Sequence, residues 1–113
     1  MIAYTRKKGT NLILIVAPYI VTKQDRQTYN QIEKIAREEG IPFIDYNDFY
    51  REMGLDFERD FNDDSHLNYW GSCKFTDYLG KMLDSDAVLP DRRGQEGYES
   101  WDRHVRLIEE QLH

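Results

Sequence analysis

A single cysteine, Cys73, stands in a chain of 113 residues, which excludes an internal disulfide and any multi-cysteine metal site. Long apolar runs are missing as well. The longest, "LILIVA" from Leu12 to Ala17, is far too short to span a bilayer, and the N-terminus carries no signal-peptide pattern. Positive charge is in deficit: 15 Lys and Arg face 21 Asp and Glu, for a net −6. Such a chain repels phosphate backbones and anionic headgroups, which argues against nucleic-acid and membrane-surface partners. Repeats and low-complexity tracts are absent. What remains is 40% hydrophobic and 13% aromatic, enough for one core in one domain.

The order of elements is informative. "MIAYTRKKG", residues 1–9, reads as the end of a helix, with Arg6, Lys7 and Lys8 at the negative end of the dipole and Gly9 just past it. No capping residue precedes it, which fits either a helix cut from something longer or a frayed basic terminus. "LILIVA" is rich in β-branched residues and predicts a strand buried on both faces, ended by Pro18. Thr22 opens the capping pattern "TKQD", and Tyr29, Ile32, Ile35 and Ala36 form one stripe of a helix running to Gly40. "IPFIDY", residues 41–46, predicts a second strand. Strand, helix, strand is a βαβ unit, which implies parallel strands.

Beyond it, "NDFYREMGLDFERDFNDD" is acidic and irregular. A further helix follows with Phe75, Tyr78, Leu79, Met82 and Leu83 on one face and Asn68 as its N-cap. Residues 85–97 read as a connector. Residues 98–112 form a last helix with Tyr98, Trp101, Val105, Ile108 and Leu112 spaced at three and four, expected to pack into a core. Two parallel strands do not make a stable sheet. The pattern is that of the last part of a doubly wound α/β domain.

Functional residues of such sheets cluster beyond the carboxyl ends of the strands. There lies "FNDDSHLNYWGS", residues 61–72, in the expected loop before a helix. A histidine acting as general base needs a carboxylate on its other ring nitrogen, and an i, i+3 turn can bring Asp63 to His66. Asp64 competes for that role. The same residue types also cap helices, and a histidine among them can simply be solvated.

"DDSHLNYWG" resembles the last motif block of the SGNH (GDSL-like) hydrolase superfamily, D-x-x-H-L-N-x-x-G, at Asp63, His66, Leu67, Asn68 and Gly71. The element order agrees over residues 10–84. The resemblance implies a three-layer α/β/α, flavodoxin-like fold with parallel strands, of which this chain would be the C-terminal part. It implies His66 as general base and Asp63 as its orienting acid, with Asn68 and Gly71 in support; Asp64, also a supporting candidate, sits one position off the motif. The implied reaction is hydrolysis of a small ester, such as an O-acetylated carbohydrate, without a cofactor.

The family's Gly-Asp-Ser nucleophile block and Gly-x-Asn-Asp block have no counterpart here. Of the four serines, Ser65, Ser72, Ser85 and Ser100, the first stands next to His66 and the second lies inside the expected helix, so neither of those two has the elbow geometry that exposes a nucleophile. The expectation is the Asp-His half of a triad, inactive alone.

Cys73 as a substitute nucleophile lacks a cationic neighbour other than Lys74 and reads as an incidental thiol. Asp56, Glu58, Asp60, Asp63 and Asp64 with His66 could instead hold a divalent cation. A third reading is a non-catalytic interaction module, with Trp70, Tyr98 and Trp101 as anchors, or a homodimer joined through an exposed sheet edge. His104 and His113 read as surface residues.

Overall fold

A short helix, α1 (Ile2–Lys8), opens the protein and ends as its sequence dictates, with Gly9 in the left-handed region at φ 64°. The computed structural model describes residues 1–86 and 89–112. Next come β1 (Leu14–Val16), α2 (Lys23–Glu38) and β2 (Phe43–Asp45). The two strands pair in parallel, with Leu14 opposite Phe43 and Val16 opposite Asp45. This is the expected βαβ unit, with strands shorter than the apolar runs suggest.

α2 starts on a complete capping box: the Thr22 hydroxyl accepts from the Asp25 N–H, and the Asp25 carboxylate accepts from the Thr22 N–H. Thr22→Ala should cost about 1 kcal/mol in a urea melt. An unchanged midpoint would show that the cap contributes nothing.

Beyond β2, the Asp45 carboxylate accepts from the Asn47 N–H and so starts a 3₁₀ turn, Tyr46–Phe49. That turn delivers Tyr46, the largest fully buried side chain described, into the core. Phe75 and Tyr78 of α3 (Tyr69–Asp86) meet its ring edge-on, at 5.1 and 6.1 Å between centroids. Val16, Ala36, Met53 and Leu55 complete the buried apolar set.

Residues 1–80 and 81–113 form two compact units. The second contains α4 (Glu99–Leu112), which begins one residue later than the spacing predicts. His113 lies outside the described residues.

Two expectations are corrected. β1 is not buried on both faces: Ile15 is 43% exposed, because among the described residues the sheet has two strands and β1 keeps an open edge. In α2, Ala36 is buried and Ile35 of the same stripe is exposed. α4 carries no buried residue; Trp101 is 71% exposed and Val105, Ile108 and Leu112 are exposed with it, so the stripe is not core. The fold is mixed α/β with small sheets, one of them the parallel pair.

Candidate active site

Asp63 and His66 do not lie in an open loop. They sit on a short antiparallel hairpin, β3 (Phe61–Asp63) and β4 (His66–Leu67), in which Asp63 faces His66 directly across the register. Strands this short carry no readable two-residue period, so the sequence shows only a polar linker.

The turn sets the geometry. The Asp63 carboxylate accepts from the Ser65 N–H at 2.8 Å, which curls the chain back. His66 Nδ1 then lies 2.8 and 2.9 Å from the two Asp63 oxygens. The Ser65 N–H and, after it, the His66 ring hold the Asp63 carboxyl below the usual carboxylate range. An ionised carboxylate can only accept, so in the neutral ring the hydrogen sits on Nδ1 and Nε2 keeps its lone pair. The imidazole is 73% exposed, so Nε2 is open to a reactant. This is the arrangement of a base held in its working tautomer.

Asp64 plays a different part. Its carbonyl accepts from the Ile20 N–H at 2.9 Å, joining the hairpin turn to the segment after β1. Among the described residues Asp63, and not the Asp64 carboxylate, holds His66 Nδ1.

Asn68 and Gly71 act through the backbone. Asn68 caps α3, its Oδ1 accepting from the Gly71 N–H at 3.0 Å, while its Nδ2 donates to the Arg59 carbonyl. A Cβ at Gly71 would sit 2.1 Å from the Asp60 carbonyl oxygen and 2.9 Å from Leu67 Cδ2. Only glycine lets α3 approach so closely. The spacing from histidine to asparagine to glycine is thus a device for seating a helix beside the hairpin.

The sequence reading missed the Asp60–Lys74 pair. Asp60 is buried, and its carboxylate accepts from Lys74 Nζ at 2.6 Å and from the Asp56 N–H at 2.8 Å. Burial alone would raise the Asp60 carboxyl. The Lys74 and Asp56 hydrogen bonds, with the charges of Lys74 and Arg59, outweigh it and hold the group below its ordinary value. The only signal in the sequence was a lysine one turn past Gly71.

Both carboxyls are depressed by folding, and solvent screens the share of the exposed Asp63, so the contribution is chiefly that of buried Asp60. It is complete above the unfolded value of 3.8 and is lost as pH falls through the lower folded values. The urea midpoint should be level from about pH 7 to about pH 5 and fall below about pH 4. A midpoint that rises on acidification would contradict these assignments.

Among the described residues no serine or cysteine is hydrogen-bonded to His66, and Cys73 is exposed and free. No group of three or more His, Cys, Asp or Glu side chains that could hold a metal occurs among them either. The acidic run does not converge: Asp60 is occupied by Lys74, Asp63 by His66 and Ser65, and Asp56 by the Glu58 N–H. No described helix is long and apolar enough to cross a membrane.

At the carboxyl ends of the strands opens a cleft of about 440 Å³, walled by Tyr19, Ile20, Val21, Tyr50 and Phe57, with Arg26 and Asn47 as polar contributors. The bond from Ile20 to Asp64 links this cleft to the hairpin. No family model, curated protein or solved structure matches the chain.

Proposed function

We propose that this chain supplies the base half of a serine ester hydrolase of the SGNH type, as the C-terminal part of its three-layer domain. The observation that carries the reading is the two-oxygen grip of Asp63 on His66 Nδ1, which leaves Nε2 exposed. In the complete enzyme His66 Nε2 takes the proton of the serine hydroxyl as it attacks the ester carbonyl. It then returns that proton to the leaving alcohol, and repeats the exchange with water to release the acid. Asp63 stabilises the imidazolium throughout and stays ionised. The cleft beside Ile20 receives the substrate, a small ester such as an O-acylated carbohydrate. Its aromatic walls suit the C–H faces of a sugar ring, and Arg26 suits its polar edge.

The nucleophile comes from a Gly-Asp-Ser segment outside these 113 residues. The chain alone, treated with a fluorophosphonate probe, should keep its unmodified intact mass. A stoichiometric adduct on one serine, lost in His66→Ala, would make it a self-contained hydrolase and overturn this division of the site.

A second reading, a homodimer that extends the sheet, has one observation in its favour. The parallel pair leaves strand edges open, and Leu14, Ile15, Ile32, Ile35 and Phe43 line an apolar groove of about 610 Å³. A monomer on size-exclusion chromatography at high concentration would dispose of it.

A further inference from the structure

We infer that Asp60 and Lys74 are the positioning residues of the Asp63–His66 pair, an inference that rests on reading His66 as the base. Neither touches the imidazole. The pair itself is exposed on both sides, and an exposed contact of this kind cannot hold its own geometry against side-chain entropy. The Ser65 N–H and the bond from Ile20 to Asp64 hold the tip of the hairpin; its base needs an anchor of its own.

Both ends of the hairpin converge on Asp60. β3 departs from it at Phe61, and the chain returns after Leu67, where the Asn68 N–H donates to the Asp60 carbonyl at 2.9 Å. Gly71 packs against the same carbonyl. Asp60 is therefore the point at which the loop carrying Asp63 and His66 is closed. Its own place is set by its carboxylate. Lys74 reaches it from α3 and also donates to the Gly54 carbonyl at 2.8 Å, while the Asp56 N–H donates to the same Asp60 carboxylate oxygen that Lys74 holds. One ammonium thus binds the segment before the hairpin to the helix after it. Asp60 is 3% exposed, so a vacancy at Lys74 leaves a carboxylate that water reaches poorly and that must move or protonate. Either response shifts the closure point and releases His66 from Asp63.

The test reads the His66 tautomer in the ¹⁵N-labelled chain by long-range proton–nitrogen correlation at about pH 8, above the ordinary histidine range. His66→Gln assigns the signals. The wild type should carry hydrogen on Nδ1. In Asp60→Asn and in Lys74→Met the Nε2–H form should become the majority, as in a free imidazole, while Lys74→Arg should keep the wild-type pattern. Where Lys74→Met does not fold, the double variant Asp60→Asn/Lys74→Met removes both charges and carries the same expectation. Folded variants that retain Nδ1–H would overturn the positioning role and leave the base reading intact. A wild type already dominated by Nε2–H would overturn the base reading, and this inference with it.

Discussion

Asp63→Asn is expected to lower kcat for ester hydrolysis by about four orders of magnitude in a polypeptide that unites this chain with a serine nucleophile. Asparagine keeps the shape of the side chain and can still cap the turn at the Ser65 N–H. Its amide NH₂ can also donate to Nδ1, which moves the imidazole hydrogen to Nε2 and removes the lone pair that would take the serine proton. Asp63 is exposed, so the melting curve should change little and KM should hold. Steady-state kinetics with p-nitrophenyl acetate separate these effects. A loss below about tenfold would remove Asp63 from the orienting role, since a misplaced tautomer cannot be so mild.

Gly71→Ala is expected to destabilise the protein by about 3 kcal/mol or more. Helix propensity alone predicts the opposite sign, because alanine is favoured over glycine inside a helix by about 1 kcal/mol. Close approach decides the outcome. The new methyl would meet the Asp60 carbonyl oxygen at 2.1 Å, and a backbone oxygen cannot swing aside as a side chain would. Relief requires α3 to lift from Asp60, which breaks the Asn68 N–H bond closing the hairpin. Gly80 lies in the same helix with open space around it. Gly80→Ala should therefore stabilise by up to about 1 kcal/mol, and the two variants form a matched pair in urea melts. Equal midpoints would show that the contact at Gly71 relaxes without cost.

The parts of the fold legible in the sequence are those fixed by neighbours along the chain. The β-branched run ending at Pro18, the Thr22 capping box and the basic end of α1 at Gly9 each state their own local structure, and the parallel register follows from the helix between the strands. The Asp63–His66 contact was legible for the same reason, being an i, i+3 turn. Burial was not. An apolar strand or a stripe at three and four announces a face, but what covers that face is set by other segments. Ile15, Ile35 and the stripe of α4 therefore proved exposed. Asp60 and Lys74 were hidden by distance in sequence, and by the habit of charged residues in an acidic tract to be solvated. The Asn47 side chain was hidden likewise: its Oδ1 accepts from the Tyr19 N–H across 28 positions to join the loops beyond β1 and β2.

The most direct test of the central claim is the rate at which a fluorophosphonate modifies the serine of a polypeptide bearing both a Gly-Asp-Ser segment and this chain, compared with its His66→Ala variant by intact mass. The account predicts stoichiometric labelling of that serine in the wild type and almost none in the variant over the same time. Labelling at equal rates would mean that the serine is activated without His66, and that Asp63 and His66 are not the base half of a hydrolytic site.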